Sequence, residues 1–338
     1  MSHSSFPAVH DVLIVGAGLA GLTAARELRA AGKNVLVLEK SRGLGGRAAT
    51  RRWDGLPVDH GAQFFTARSE AFRRQVDEWL QRGVCFEWSR GLHQASAPGP
   101  RAPHGDNFPR YACRAGMTSL TRDLAGADPS FVLRESKVTT IHRRAAHWEV
   151  TSEDGRTFQS RALLMTAPPP QAAVLLETAA PETATRLAAI PMSPCLALAV
   201  RYPRREFPWR GIQAPEHPAV SWIGHDTSKR PDLHPDTTIL VIHASAQFSR
   251  EHFAAEEQTV TRQLLETAGE IAGADLSAPS TSFLQRWRYA LGSDRDSAPA
   301  IDLPADPALV LAGDAVAGGK IEGAYLSGQA AASAIAAS

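Results

Sequence analysis

The chain has 338 residues, 43% of them hydrophobic, with 36 Lys and Arg against 35 Asp and Glu. That length suffices for two domains and a sizeable core, and a net charge of +1 gives no bulk attraction to nucleic acid or an acidic membrane. The cysteines, Cys85, Cys113 and Cys195, stand far apart with no CxxC pair, which speaks against a structural zinc site and fits a reducing cytoplasm.

Residues 1–10 show no basic region followed by an apolar core, and no uninterrupted apolar run approaches a bilayer span. A cytoplasmic protein without a membrane segment is therefore expected. The first predicted elements lie in 11–47. An apolar run at 11–15 leads into Gly16, Gly18 and Gly21, then an amphipathic segment to 31, then a second apolar run at 34–38 that ends in Glu39. This order reads as strand, tight glycine turn, helix, strand and acid, a dinucleotide-binding unit. Gly16 permits the turn, Gly18 lets backbone approach a pyrophosphate, and Gly21 lets helix and strand pack closely. The helix N-terminus offers unpaired N–H groups to phosphate, and Glu39 can accept from both ribose hydroxyls. Two adjacent glycines and Arg47 follow within 40–47. They suit a loop folded over the pyrophosphate with a guanidinium on a phosphate oxygen, and lean the choice towards FAD over NAD.

Further along, 58–66 places small residues before Gln63 and Phe64, which suits either backbone against a flat ring or an ordinary turn into a core strand. The spacing of Phe72, Val76, Trp79 and Leu80 predicts a helix over 69–83 with a core-facing stripe. A Pro- and Gly-rich loop spans 89–110, with His93 and His104 as solvated loop residues. Gly116 starts a helix, and short strands follow around 131–133, 138–141, 148–151 and 163–166, with a hairpin turn at 153–155. The three prolines after Ala167 predict a crossing into another domain. Residues 171–283 mix strands at 196–200 and 239–243 with a helix carrying Val260, Leu264, Leu265, Ala268 and Ile271. No second phosphate-binding turn occurs there. The arginines between 201 and 210 read as a solvated face, or alternatively an anion-recognition edge. Finally a strand at 308–312 leads to Gly313 and Asp314, and Glu322-Gly-Ala324 opens a small-residue helix over 325–336. Strand, Gly-Asp and helix N-terminus suit the ribityl and isoalloxazine end of FAD, which completes a two-ended FAD site. No metal-ligand cluster, Ser-His-Asp set or carboxylate pair is visible.

Several segments together resemble bacterial renalases, within the FAD-dependent amine oxidase superfamily. They are Arg42-Gly-Leu-Gly-Gly-Arg47, 59–68, Gly116-Met117, 243–249, 286–290 and 321–328, in order along nearly the whole chain. The resemblance implies an α/β fold with an α+β substrate part: a Rossmann-type FAD domain of p-hydroxybenzoate hydroxylase-like topology plus a mixed-sheet substrate domain. The expected division is FAD domain at 9–61, 113–168 and 284–338, and substrate domain at 62–112 and 169–283. Non-covalent FAD is implied at Gly16, Gly18, Leu19, Ala20, Gly21, Glu39, Lys40, Gly46, Arg47, Gly61, Ala62, Gln63, Phe64, Val138, Gly313, Asp314, Glu322, Gly323 and Ala324. Substrate is implied at Gln63, His243, Trp287 and Tyr289. The implied reaction takes hydride from 2- and 6-dihydro-NAD(P), giving NAD(P)+ and hydrogen peroxide, with the dihydronicotinamide and oxygen as partners and Arg286 and Arg288 available for phosphate. The alternative is an amine oxidase whose cage is drawn from Trp222, Phe248, Trp287 and Tyr289. A flavin-bearing binding protein without turnover is a third reading.

Overall fold

A computed structural model describes residues 9–96, 99–103, 108–233, 235–292, 301–303 (backbone) and 307–337; His104 lies outside them. Two compact units form by interleaving. The first gathers the chain up to Gly46, Leu120–Met192 and the chain from Gly292, and the second comprises Arg47–Ser119 and Ser193–Leu291.

In the first unit the strand Val9–Val15 pairs in parallel with Val35–Leu38 on one side and with Thr157–Met165 on the other. Ala308–Leu311 adds in parallel beyond Thr157–Met165. Val12, Leu13 and Ile14 are at most 1% exposed, as a strand covered on both faces requires. Helix Leu19–Ala30 crosses over this sheet and packs against helix Lys320–Ala337. The predicted hairpin forms between Trp148–Ser152 and Thr157–Met165, with Gly155 at φ +83° in the turn.

The second unit is built on a six-stranded sheet, ordered Thr281–Gly292, Met192–Pro203, Thr237–Ala244, Val220–His225, Gly211–Gln213 and His93–Gln94. Its core joins Leu198, Val200, Ile223, Leu240 and Ile242 to Val260, Leu264, Leu265, Ala268 and Ile271 of helix Glu257–Ala272. Helix Glu70–Gln81 is capped by Ser69, whose hydroxyl accepts from the Phe72 N–H, and Phe72, Val76 and Trp79 are buried. Leu80 is only half-buried.

Some expectations shift. The units exchange chain after Gly46, Ser119, Met192 and Leu291, whereas the sequence reading divides the chain after 61, 112, 168 and 283. The prolines explain one difference. Pro168 caps helix Pro169–Leu176, and the following prolines take its first positions, where a missing N–H costs nothing. Ala172 and Leu176 of that helix, with Leu187 of Pro181–Ala188, complete the first unit's core. The hairpin of Thr50–Trp53 and Leu56–Asp59 belongs to the second unit because Val58 packs with Ile239, Val241 and Phe283. His93 is no solvated loop residue: it is half-buried and pairs with Ile212. The last helix begins at Lys320, five residues earlier than expected, directly after Gly318 and Gly319 with positive φ.

Candidate functional site

The first unit carries a cradle at the carboxyl edge of its parallel sheet. Val15, Met165 and Leu311 are in register on adjacent strands. Gly16 and Gly313 follow the outer two, so the glycine turn and the Gly-Asp motif stand about 10 Å apart, two inter-strand spacings. Gly16 adopts φ +112°, and a Cβ there would lie 2.6 Å from Thr166 Oγ1. A Cβ on Gly21 would lie 2.1 Å from the Gly16 carbonyl oxygen, so helix and turn pack closer than any side chain permits. A Cβ on Gly18, by contrast, would meet nothing within 4 Å. Gly18 opens onto free space at the helix N-terminus, the arrangement a pyrophosphate requires.

Glu39 is 6% exposed, and its two carboxylate oxygens accept from the Ala17 and Ser41 N–H groups, each at 2.8 Å. The remaining lone pairs are those a ribose would use. The loop after it folds onto the glycine turn: the Gly45 N–H donates to the Ala17 carbonyl at 3.0 Å, and Gly45 bridges Gly18. At the other motif, Gly313 has φ +145°, and its N–H donates to Ser327 Oγ at 2.9 Å. Asp314 opens a 3-10 turn, and Glu322, Gly323 and Ala324 fall in the first turn of helix Lys320–Ala337. Leu19 and Ala20 are buried in the helix start, and Lys40 Nζ donates to Gln171 Oε1 at 3.4 Å. Val138 packs its side chain into the core beside Leu13 and Leu36, which leaves only its backbone for a ligand. This cradle fits FAD.

Arg47, Gly61, Ala62, Gln63 and Phe64 belong to the second unit. Arg47 donates to the Ala290 carbonyl at 3.2 Å, and its own carbonyl accepts the Ala62 N–H at 2.9 Å. A Cβ on Gly61 would sit 2.0 Å from that same carbonyl. The turn leans on four buried charges that sequence reasoning misses. Asp59, Asp226, Lys229 and Arg230 all have side chains no more than 1% exposed. Asp59 accepts from Lys229 at 3.1 Å, Arg230 at 2.7 Å, the Met117 N–H at 2.8 Å and Thr50 Oγ1 at 2.7 Å. Asp226 accepts from Lys229 at 2.9 Å and from Arg230. Burial alone would raise the Asp59 carboxyl, but Lys229 and Arg230 beside it bring it down to about 2. The spacing Asp226, Lys229, Arg230 resembles a solvated helical face, so the one available signal misleads.

Gln63 Nε2 donates to the Asp59 carbonyl and, at 3.1 Å, to the Gly61 carbonyl, while Oε1 faces Lys229 Nζ at 3.5 Å. The His60 ring stacks on Trp287 with centroids 5.4 Å apart and planes 13° apart, and the Trp287 N–H donates to the His60 carbonyl at 2.9 Å. His243 and Trp222 are cross-strand partners. Burial, then Lys229 and His60, push His243 down to about 3, and burial first brings His60 to about 4, so both imidazoles are uncharged at neutral pH. Tyr289 is half-buried, two residues along from Trp287 on the same strand. The expected four-ring cage does not assemble. Phe248 is part of the sheet-helix core and stacks on His252 at 4.0 Å, while Trp222 clusters with Trp88 and Phe64. Trp222 lies instead over two facing glycines: a Cβ on Gly211 or Gly224 would come within 2.1 or 2.7 Å of its ring.

Two family descriptions match the chain. NAD(P)-binding Rossmann-like domain covers residues 14–79, and Flavin containing amine oxidoreductase covers residues 72–336. Mouse renalase is 25% identical over 327 residues, spanning 90% of this chain and 92% of that protein. Putrescine oxidase of Kocuria rosea is 44% identical over 68 residues, 20% of this chain and only 14% of that protein. The structure of cyclohexylamine oxidase from Brevibacterium oxydans superposes with a TM-score of 0.77 at 17% identity, covering 98% of this chain and 99% of that one, a likeness of fold. These findings overturn the expected dihydronicotinamide partner, since the matched family and enzymes are named for amines. The geometry agrees. Arg286, expected to be available for phosphate, donates to the Phe253 and Ala255 carbonyls at 3.1 and 2.8 Å, and Arg288 lies over the Phe253 ring at 4.7 Å.

Proposed function

This chain belongs to the flavin containing amine oxidoreductase family, and we propose that it is an FAD-dependent oxidase of small amines that uses oxygen as acceptor. The family match over residues 72–336 carries this reading. In the reaction R–CH2–NH2 and O2 become R–CH=NH and H2O2. Bound FAD supplies the two-electron acceptor that oxygen then restores.

The chain's own residues bind, orient and exclude. Gly16, Gly18 and Gly21 with the helix N-terminus hold the pyrophosphate, Glu39 the ribose, and Gly313, Asp314 and Glu322–Ala324 the ribityl and ring end. Arg47, Gly61, Ala62 and Phe64 complete the cofactor set. His243, Trp287 and Tyr289 receive the amine. An uncharged His243 with Lys229 near it disfavours an ammonium ion, so the neutral amine is the form admitted. The two acids close by are already neutralised by Lys229 and Arg230 and offer no free anion.

Anaerobic mixing with benzylamine, cyclohexylamine and putrescine tests the proposal. At least one should abolish the flavin's visible absorbance, and admitting oxygen should restore it with release of hydrogen peroxide. A flavin that keeps its colour with all three, at pH values where the free amine is abundant, refutes it.

A further inference from the structure

We propose that Lys229 is a positioning residue for this reaction: it fixes the amide of Gln63 and, through it, the turn that carries His60 to Phe64. The inference rests on the amine oxidase reading above.

An ammonium group has three N–H donors and no acceptor. Lys229 directs them to Asp59 Oδ2 at 3.1 Å, Asp226 Oδ1 at 2.9 Å and Gln63 Oε1 at 3.5 Å. Because Lys229 can only donate, the atom of Gln63 that faces it is the oxygen. The amide nitrogen then faces the Asp59 and Gly61 carbonyls, which can only accept. Chemistry on both sides fixes one orientation of Gln63, and that orientation closes the turn.

The turn in turn places aromatic groups. The His60 carbonyl receives the Trp287 N–H, the His60 ring stacks on that indole, and Phe64 lies 5.4 Å from Trp222. A tilt of residues 59–64 therefore moves Trp287. Stability alone does not account for Lys229. Arg230 by itself pairs with both acids and also donates to the Arg114, Pro57 and Cys113 carbonyls. Buried ion pairs can commonly be replaced by uncharged groups of similar size without loss of stability. What Lys229 adds is the contact to Gln63 and a positive charge near His243, whose other charged neighbour is His60.

The test compares wild-type holoenzyme with Lys229→Met and with the double variant Asp226→Asn, Lys229→Gln, which removes one charge of each sign and leaves the Asp59–Arg230 pair. The double variant should fold and keep its FAD. Its kcat should fall roughly ten- to a hundredfold with KM little changed, the scale of a misplaced reacting group. The acid limb of its kcat/KM profile should move to higher pH, because His243 has lost a cationic neighbour. Wild-type kcat with an unmoved acid limb overturns the proposal. So does a double variant that no longer folds, which would make Lys229 a stability element. If the wild-type enzyme oxidises no amine, the function proposed above fails. The visible circular dichroism of bound flavin then reads the turn without turnover, and a spectrum identical in the double variant overturns this inference alone.

Discussion

Glu39 has two roles in the fold, and they can be separated. Its carboxylate ties the Ala17 and Ser41 N–H groups, and its remaining lone pairs face the proposed ribose. Glu39→Ala should weaken FAD binding by roughly ten- to a hundredfold, the worth of hydrogen bonds to a charged group. Activity should return at high FAD. Titration of the apoprotein checks it, and unchanged affinity removes Glu39 from the ribose. The two buried imidazoles make a second residue-scale prediction. His60 and His243 stay unprotonated when folded down to about 4 and about 3, while an unfolded histidine takes its proton near 6.5. Below about pH 6.5 the unfolded chain binds more protons, so stability drops with pH by about 1.4 kcal/mol per pH unit per group. Thermal melts from neutral to about pH 5 should show Tm falling, and replacing His243 by Asn should flatten the slope. A Tm that does not fall would place both rings in solvent. Glu39 was legible in the sequence because its partners lie within a local pattern. The buried quartet was not: Asp59 meets Asp226 and Arg230 across 167 and 171 residues, and charged side chains are ordinarily read as surface.

At the scale of elements, glycine does most of the fitting. Helix Lys320–Ala337 crosses helix Leu19–Ala30 where a Cβ on Gly328 would lie 2.4 Å from the Ala20 carbonyl oxygen and 2.8 Å from Thr23 Cβ. Backbone cannot retreat as a flexible side chain can, so Gly328→Ala should cost about 1–3 kcal/mol by overpacking. Tm should fall by several degrees, and FAD retention should weaken because the same helix begins beside Asp314. A wild-type Tm would mean the crossing is loose. The sequence revealed these helices through their small-residue and apolar spacing, which is local. It misread the prolines at 168–170 because the rule that proline breaks structure competes with the rule that proline opens helices, and the deciding fact is where Ala172 and Leu176 are buried. The cage of four rings failed for a similar reason: aromatic composition marks core and site alike, and only packing assigns Phe248 to the former.

For the whole molecule, the interleaving is what the motifs could not fully locate. Each unit is assembled from separated stretches, so the glycine turn near the start and Gly313 depend on one sheet made from three of them. A chain cut after Leu291 lacks Ala308–Leu311 and Lys320–Ala337, which uncovers Thr157–Met165 and one face of Leu19–Ala30. It should be FAD-free and aggregated, as size-exclusion chromatography and flavin absorbance would show; a monomeric, yellow fragment contradicts this. The same order has a consequence during biosynthesis. The strand Val9–Val15 emerges from the ribosome early, yet one of its two parallel neighbours is Thr157–Met165, and that strand's other parallel neighbour is Ala308–Leu311. Pairings so distant in sequence form slowly and leave strand edges open while translation proceeds. The nascent chain must therefore be sheltered until nearly all of it has been made, so the yield of active protein should depend on chaperone supply more than on the rate of translation.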